Sequence, residues 1–186
     1  MANLLLEIEG SAFKAAWSEG LTLGKIYHCQ GKDLQKFIVS TIEAEKEKPE
    51  VMALIADGPV PVETEDLFRN NCHRLMLFDR SYCRVAAAEC ARYLFKGRPC
   101  SVFHLGEDCF VDFVDWYGNC RGEENISGTE FEIERKIADR PENIAVFTGD
   151  NAIYFAKRMK NSIFVVRNLV LMGLALITDN YVRKSL

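Results

Sequence analysis

The sequence predicts an α/β fold in which one unit, a mixed sheet flanked by helices, is built twice. Three observations carry that reading. Short apolar runs alternate with amphipathic stretches of helical period. Each half opens on a strand–turn–strand hairpin. The order strand-strand-strand-helix-strand-helix of the first half returns after residues 96–99, which is the mark of an internal duplication. The expected domains are therefore 1–97 and a shorter 98–186.

In the first half, residues 3–9 are apolar, short and followed by Gly10 and Ser11, as a buried strand would be. Residues 12–17 form the second strand, turned by Ser18-Glu19-Gly20, and residues 23–29 the third. Asp33 is placed to cap a helix reaching residue 46, with Leu34, Phe37, Ile38 and Ile42 on one face. The charge run 43–50 reads as a solvated helix end. Residues 51–56 are a buried strand closed by Asp57-Gly58-Pro59, 63–70 a short helix and 74–78 a short strand. An Ala-rich helix over 82–95 ends at Gly97.

The second half repeats the pattern more sparsely. Residues 101–105 and 110–114 are strands, and 116–119 a turn. A helix is expected over 130–137 and a strand over 145–147. Asp150 is expected to cap a helix over 151–159, with a last strand at 163–166 and a last helix at 169–182.

Composition bounds the function. The chain has 186 residues, 48% hydrophobic and 27% charged, which is globular and not disordered composition. With 23 Lys+Arg against 27 Asp+Glu the formal net charge is −4, and without a basic block nucleic acid is an unfavourable partner. The longest apolar run, 169–177, is shorter than the ~20 residues a bilayer needs, so no membrane partner is expected. Glu7 and the lack of a basic n-region argue against an export signal, which makes a cytoplasmic setting the expectation. The 7 cysteines include no CxxC pair, so reduced thiols are expected and a zinc site is not.

Residues 3–14, Asn3-Leu4-Leu5-Leu6-Glu7-Ile8-Glu9-Gly10-Ser11-Ala12-Phe13-Lys14, resemble the opening N-L-I-I-D-I-G-N-T-x-x-K of type III pantothenate kinases. Residues 84–95 resemble that family's D-R-L-A-A-A-V-G-A-x-Y-L-F helix. Gly97-Arg98, residues 102–106 and Val111-Asp112-Phe113-Val114-Asp115 resemble its G-R…V-D-x-G-T-A-x-T-x-D-x-V-D stretch. Asn125-Ile126-Ser127 resembles G-x-I-S-P-G. Residues 146–150, 155–158, 161–164 and 168–174 resemble the closing T-G-G-D…K-N-P-I-F…L-V-L-E-G-L. Five motifs in order cover both ends and most of the middle. The resemblance implies the duplicated ribonuclease H-like fold of actin-like ATPases and sugar kinases. It also implies transfer of the ATP γ-phosphoryl to pantothenate, the first step of coenzyme A biosynthesis, with ATP, Mg²⁺ and K⁺ as the cofactors of an active member.

At the positions where that chemistry is done, this sequence departs from the family. Of the acid, glycine, Asn and Thr at the first turn, Glu7 aligns with the acid, Glu9 with the glycine, Gly10 with the Asn and Ser11 with the Thr, while Lys14 keeps the cation. Glu9 sets a negative charge where polyphosphate should approach, a cost of about 1–4 kcal/mol at 4 Å. Cys83 stands at the base position, beside a retained Arg84 on the substrate side. A thiol is a poorer base there than a carboxylate, and a small helix residue facing the core, in line with Cys90, is the plainer reading. In the second hairpin His104 takes the place of the potassium-holding Asp and Glu107 that of the nucleotide-binding Thr. Gly106, Asp112 and, further on, Gly149 remain. Glu107 and Asp108 add negative charge on the phosphate side. The family's helices between residues 127 and 148 shrink to a charged link over 129–143.

These replacements make the expected function that of a type III pantothenate kinase-like pseudoenzyme, with no cofactor required and a binding or regulatory role. Its partner would be a second copy or an authentic kinase paralogue. The alternative is an active phosphotransferase carried by Glu7, Ser11, Lys14, Arg84 and Gly149. The family's Baf label, for accessory transcriptional activators, conflicts with the chain's acidic charge.

Overall fold

The computed structural model describes residues 2–9, 12–31, 33–45, 48–56, 58–106 and 108–184, with the backbone alone for Glu9. Contacts within it divide the chain into two compact units, Met1–Cys83 with Leu174–Leu186, and Arg84–Gly173. The expected halves 1–97 and 98–186 differ from that division in where they place two long helices, each of which spans a boundary.

The first unit is built on a five-stranded sheet. Its strands are β1 (Asn3–Glu9), β2 (Ala12–Glu19), β3 (Thr22–Gln30), β4 (Val51–Ala56) and β5 (Arg74–Asp79), in the order β3-β2-β1-β4-β5. β1 runs antiparallel to β2 and parallel to β4. Central β4 is buried along its whole length, which is why its sequence is a continuous apolar run rather than an alternation. Edge strand β3 has only half-buried and exposed positions. Helix α1 (Leu34–Glu45) begins as expected at Asp33, whose Oδ1 accepts from Lys36 N at 2.8 Å. Phe37 and Ile38 of α1 and Phe68 of α2 (Val62–Asn70) close the core over Leu4, Leu6 and Leu54.

The second unit repeats this topology. Helix α3 (Tyr82–Leu94) leads into β6 (Cys100–Leu105), β7 (Cys109–Val114), β8 (Cys120–Asn125), α4 (Glu130–Ala138), β9 (Ile144–Thr148), α5 (Ala152–Ala156), β10 (Ile163–Val165) and the start of α6 (Leu169–Lys184), whose residues from Leu174 on belong to the first unit. Its sheet order is β10-β9-β6-β7-β8. With β1 matched to β6, the two orders are identical, and the predicted fold class holds: two mixed five-stranded sheets with helices packed on them.

Two local expectations need correction. Strand β8 has no counterpart in the apolar pattern, because Cys120-Arg121-Gly122-Glu123-Glu124-Asn125 is polar throughout. It lies at a sheet edge and carries a register irregularity against β7, so its side chains face solvent or ionic partners and need no alternation. Helix α5 is also shorter than 151–159. Asn151, not Asp150, is its N-cap, and its side chain does not cap the helix. Asn151 Nδ2 instead donates to Gly106 O.

One close approach within this unit joins the parts of α3 and α6 that belong to it. A Cβ at Gly173 of α6 would lie 1.8 Å from the carbonyl oxygen of Ala86 in α3. The Ala-rich face of α3, with Ala86, Ala87 and Ala91 buried, and the glycine opposite it let the two backbones meet. Gly173→Ala must push the helices apart. It is expected to cost about 3 kcal/mol, read as a fall in Tm of roughly 6–12 °C; a Tm unchanged to within about 1 °C would contradict the packing.

Candidate functional site

In the first unit, the β1–β2 hairpin carries the resembled phosphate turn. Register places Glu7 opposite Lys14 and Ile8 opposite Phe13. Residues on one face of a hairpin alternate with those on the other, so Ile8 and Phe13 join the core while the half-buried Glu7–Lys14 pair occupies the opposite face. Two expected site residues therefore meet as a cross-strand pair of opposite charge. Gly10 and Ser11, together with the side chain of Glu9, lie outside the described residues.

The second unit holds two further groupings. In the first, Gly149 sits at φ +92°, and a Cβ there would fall 2.7 Å from Leu105 O. Asn151 N donates to the same oxygen at 2.9 Å and its Nδ2 to Gly106 O at 3.2 Å. The loop after β9 is thus clamped to the end of β6, and Gly149 is required by both its backbone angle and the lack of space. Gly106 and Gly149, singled out separately in the sequence, belong to one backbone arrangement. Neighbouring Glu107 lies outside the described residues, and Asp108 is exposed.

The other grouping centres on Asp112. Register pairs Val102 with Asp112 and His104 with Phe110, so all four side chains lie on the sheet face away from the core formed by Phe103, Leu105 and Val111. The Asp112 side chain is 2% exposed. Its Oδ1 accepts from Arg84 Nε at 2.7 Å, and its Oδ2 faces His104 Nε2 at 3.4 Å, an ion pair only when the imidazole is protonated. The alignment is too poor for a hydrogen bond, and both facing atoms are otherwise unpartnered. The His104 ring stacks on Phe110 at 4.2 Å. Arg84 continues to Glu123 of β8, with Nη1 2.8 Å from Oε2. Burial draws the Arg84 pKa down, but the Asp112 and Glu123 carboxylates outweigh it and leave it above the usual arginine value.

Sequence reasoning placed Arg84 on a substrate side and His104 at a cation position. The structure brings both to Asp112. It missed Glu123, for which the only signal is an acidic residue in a strand that itself had no apolar signature. Cys120, from the same strand, lies with its Sγ 3.7 Å from Arg84 O. Cys83, at the base position, is half-buried rather than fully in the core, whereas Cys90 on the same helix is 1% exposed.

The cation and nucleotide implied by the resemblance can be tested against these donors. His104 offers a nitrogen already turned to a carboxylate, and potassium and magnesium favour oxygen. Among the described residues, no three His, Cys, Asp or Glu side chains converge to hold a metal ion. At the His104 position the donor does not suit potassium.

No protein-family model matches the chain, and no curated protein matches it. Solved structures do. Component A of (R)-2-hydroxyglutaryl-CoA dehydratase from Acidaminococcus fermentans superposes with a TM-score of 0.65 at 10% identity, over 98% of this chain and 99% of that one. ROK hexokinase from Thermus thermophilus gives 0.55 at 12%, over 99% and 100%. A Campylobacter jejuni protein described as a Baf family transcriptional activator gives 0.55 at 13%, over 98% and 100%. At such identities the likeness is one of fold: the duplicated architecture shared by actin-like ATPases and ROK sugar kinases. Among the described residues, no helix is long and apolar enough to cross a membrane.

Thiol chemistry is suppressed at three cysteines of the second unit, one of them beside Arg84. Burial, aided by the Asp112 charge, pushes Cys120 up to about 11, and burial takes Cys90 to about 12 and Cys100 to about 11. At pH 8 all three are protonated, and the nucleophilic thiolate grows only as pH rises toward those values. Iodoacetamide at pH 8, read by intact mass and peptide mapping, is expected to spare these three in the folded chain and alkylate them after unfolding. Fast labelling of folded Cys120 would contradict the assignment.

Proposed function

We propose that this chain is a type III pantothenate kinase-like protein that retains the two-unit kinase frame, has lost phosphoryl transfer, and acts by binding. The observation that carries this reading is the state of Arg84. The cation that the resemblance assigns to the substrate side is held within its own unit, at 2.7 Å from Asp112 and 2.8 Å from Glu123. Satisfied twice, and leaving a buried carboxylate behind if it moves, it is poorly placed to grip an anionic substrate as well.

The neighbouring chemistry points the same way. Phosphoryl transfer rests on positioning, charge neutralisation and a base near the accepting hydroxyl. Cys83 replaces the family's carboxylate base, His104 replaces a hard-cation ligand and is turned to Asp112, and Glu9 adds negative charge to the first turn. What survives is the frame, with the Gly149 clamp on Leu105 and the Glu7–Lys14 cross-strand pair, together with Arg84 and Asp112, which are bound to each other. A frame kept with its reactive groups exchanged suits recognition better than turnover. A second copy or an active kinase paralogue is the partner class this reading favours.

An ADP-release assay with pantothenate, ATP, Mg²⁺ and K⁺ tests it. The expected result is no release above the enzyme-free control, unchanged by Glu7→Ala. Turnover in the ordinary kinase range, kcat of about 1–100 s⁻¹, that Glu7→Ala abolishes would overturn it.

A further inference from the structure

Strand β10 forms one edge of the second sheet, bonded to β9 alone. Val166 N donates to Phe147 O at 2.9 Å. In a parallel ladder alternate residues bond to the same neighbour, so Phe164 also turns its backbone toward β9. Ile163 and Val165 then present their N–H and C=O groups at the outer edge. Such an edge is normally blunted by charge, a bulge or a covering element. Edge β8 is treated that way, with Glu123, Glu124 and a register irregularity. β10 is short, at three residues, but carries no charge or bulge of its own, and Phe164 is 53% and Val165 38% exposed. Helix α5 lies against β10 and adds Tyr154 and Ile153, 50% and 40% exposed. Phe164 packs edge-on against Phe95 at 5.0 Å, which holds its ring in place.

The electrostatics of this edge are equally one-sided. In a chain of net charge −4, no Asp or Glu occurs from Asn151 to Thr178, while Lys157, Arg158, Lys160 and Arg167 fall immediately around β10, all exposed. Among the described residues, Arg158 pairs with Glu130 at 3.4 Å, and Lys157, Lys160 and Arg167 have no carboxylate within ion-pair distance.

We propose that the β10 edge is a docking site for an extended acidic segment of a partner protein, which adds to the second sheet as a sixth strand. Backbone pairing with Ile163 and Val165 supplies the register. Phe164 and Tyr154 supply apolar contact, and Lys160 and Arg167 select acidic side chains. A second copy pairing edge to edge would set these cations against their own kind, which disfavours that occupant. The inference is independent of whether phosphoryl transfer is retained, because none of these residues is among the site residues of the kinase reading.

The test is fluorescence anisotropy with a labelled short peptide of alternating Glu and Val. Three comparisons accompany it: the same peptide N-methylated at alternate amides, a Lys–Val peptide, and the exposed charge-reversed variant Lys160→Glu/Arg167→Glu, checked for folding by circular dichroism. The Glu–Val peptide is expected to bind saturably. It should bind about tenfold more weakly to the charge-reversed variant, and N-methylation should weaken it by about tenfold or more. Val165→Pro, which removes an outward N–H, should weaken it similarly. Equal binding of the N-methylated or Lys–Val peptide, or no saturable binding up to about 1 mM, would overturn the proposal. So would concentration-dependent dimers, seen by sedimentation, that the charge reversal abolishes.

Discussion

A carboxylate with 2% of its side chain exposed has to be matched, and most of what is distinctive in the second unit follows from how Asp112 is matched. An unpaired buried charge costs several kcal/mol. Arg84 reaches it from the first turns of α3, and Glu123 reaches Arg84 from β8. One ionic chain therefore ties a helix to two strands, one of which has little apolar surface of its own. His104 closes the other side of Asp112, pressed flat on Phe110. A cation committed in this way secures the helix against the sheet.

The frame and the chemistry have separate physical origins. The frame comes from buried strands β4 and β6, from hairpins whose register puts apolar residues on one face, and from glycines where backbones meet. Gly149 and Gly173 admit no side chain because a neighbouring carbonyl occupies the space. Such constraints tolerate wide variation elsewhere, which is how a likeness of 10–13% identity still spans nearly the whole chain. Catalysis depends instead on a few side chains whose replacement costs the fold little. Cys83 can stand in a helix, and His104 in a strand, without disturbing either.

The same distinction governs how far the sequence could be read. The order of elements was legible because β1, β4, β6 and β9 are short apolar runs, and α1 begins on Asp33, whose side chain accepts from Lys36 N. Strand β8 was not legible, since its residues answer to ionic partners and solvent and carry no period-2 pattern. The Asn151 cap was misjudged because its side chain serves a loop 45 residues away. In the site, individual positions such as Arg84, His104 and Gly149 could be picked out, but not their mutual contacts. Arg84 meets Asp112 across 28 residues, and only folding decides which acid a given arginine meets.

The central claim is that Arg84 is spent on Asp112 rather than held for a substrate. A double-mutant cycle measures that directly, with Arg84→Met, Asp112→Asn and the double variant unfolded in urea and compared with the parent chain. The account predicts a coupling of about 2–3 kcal/mol, each single variant stranding its partner and the double variant recovering much of the loss. A coupling below about 0.5 kcal/mol would mean the two side chains stabilise the fold independently, and would contradict it.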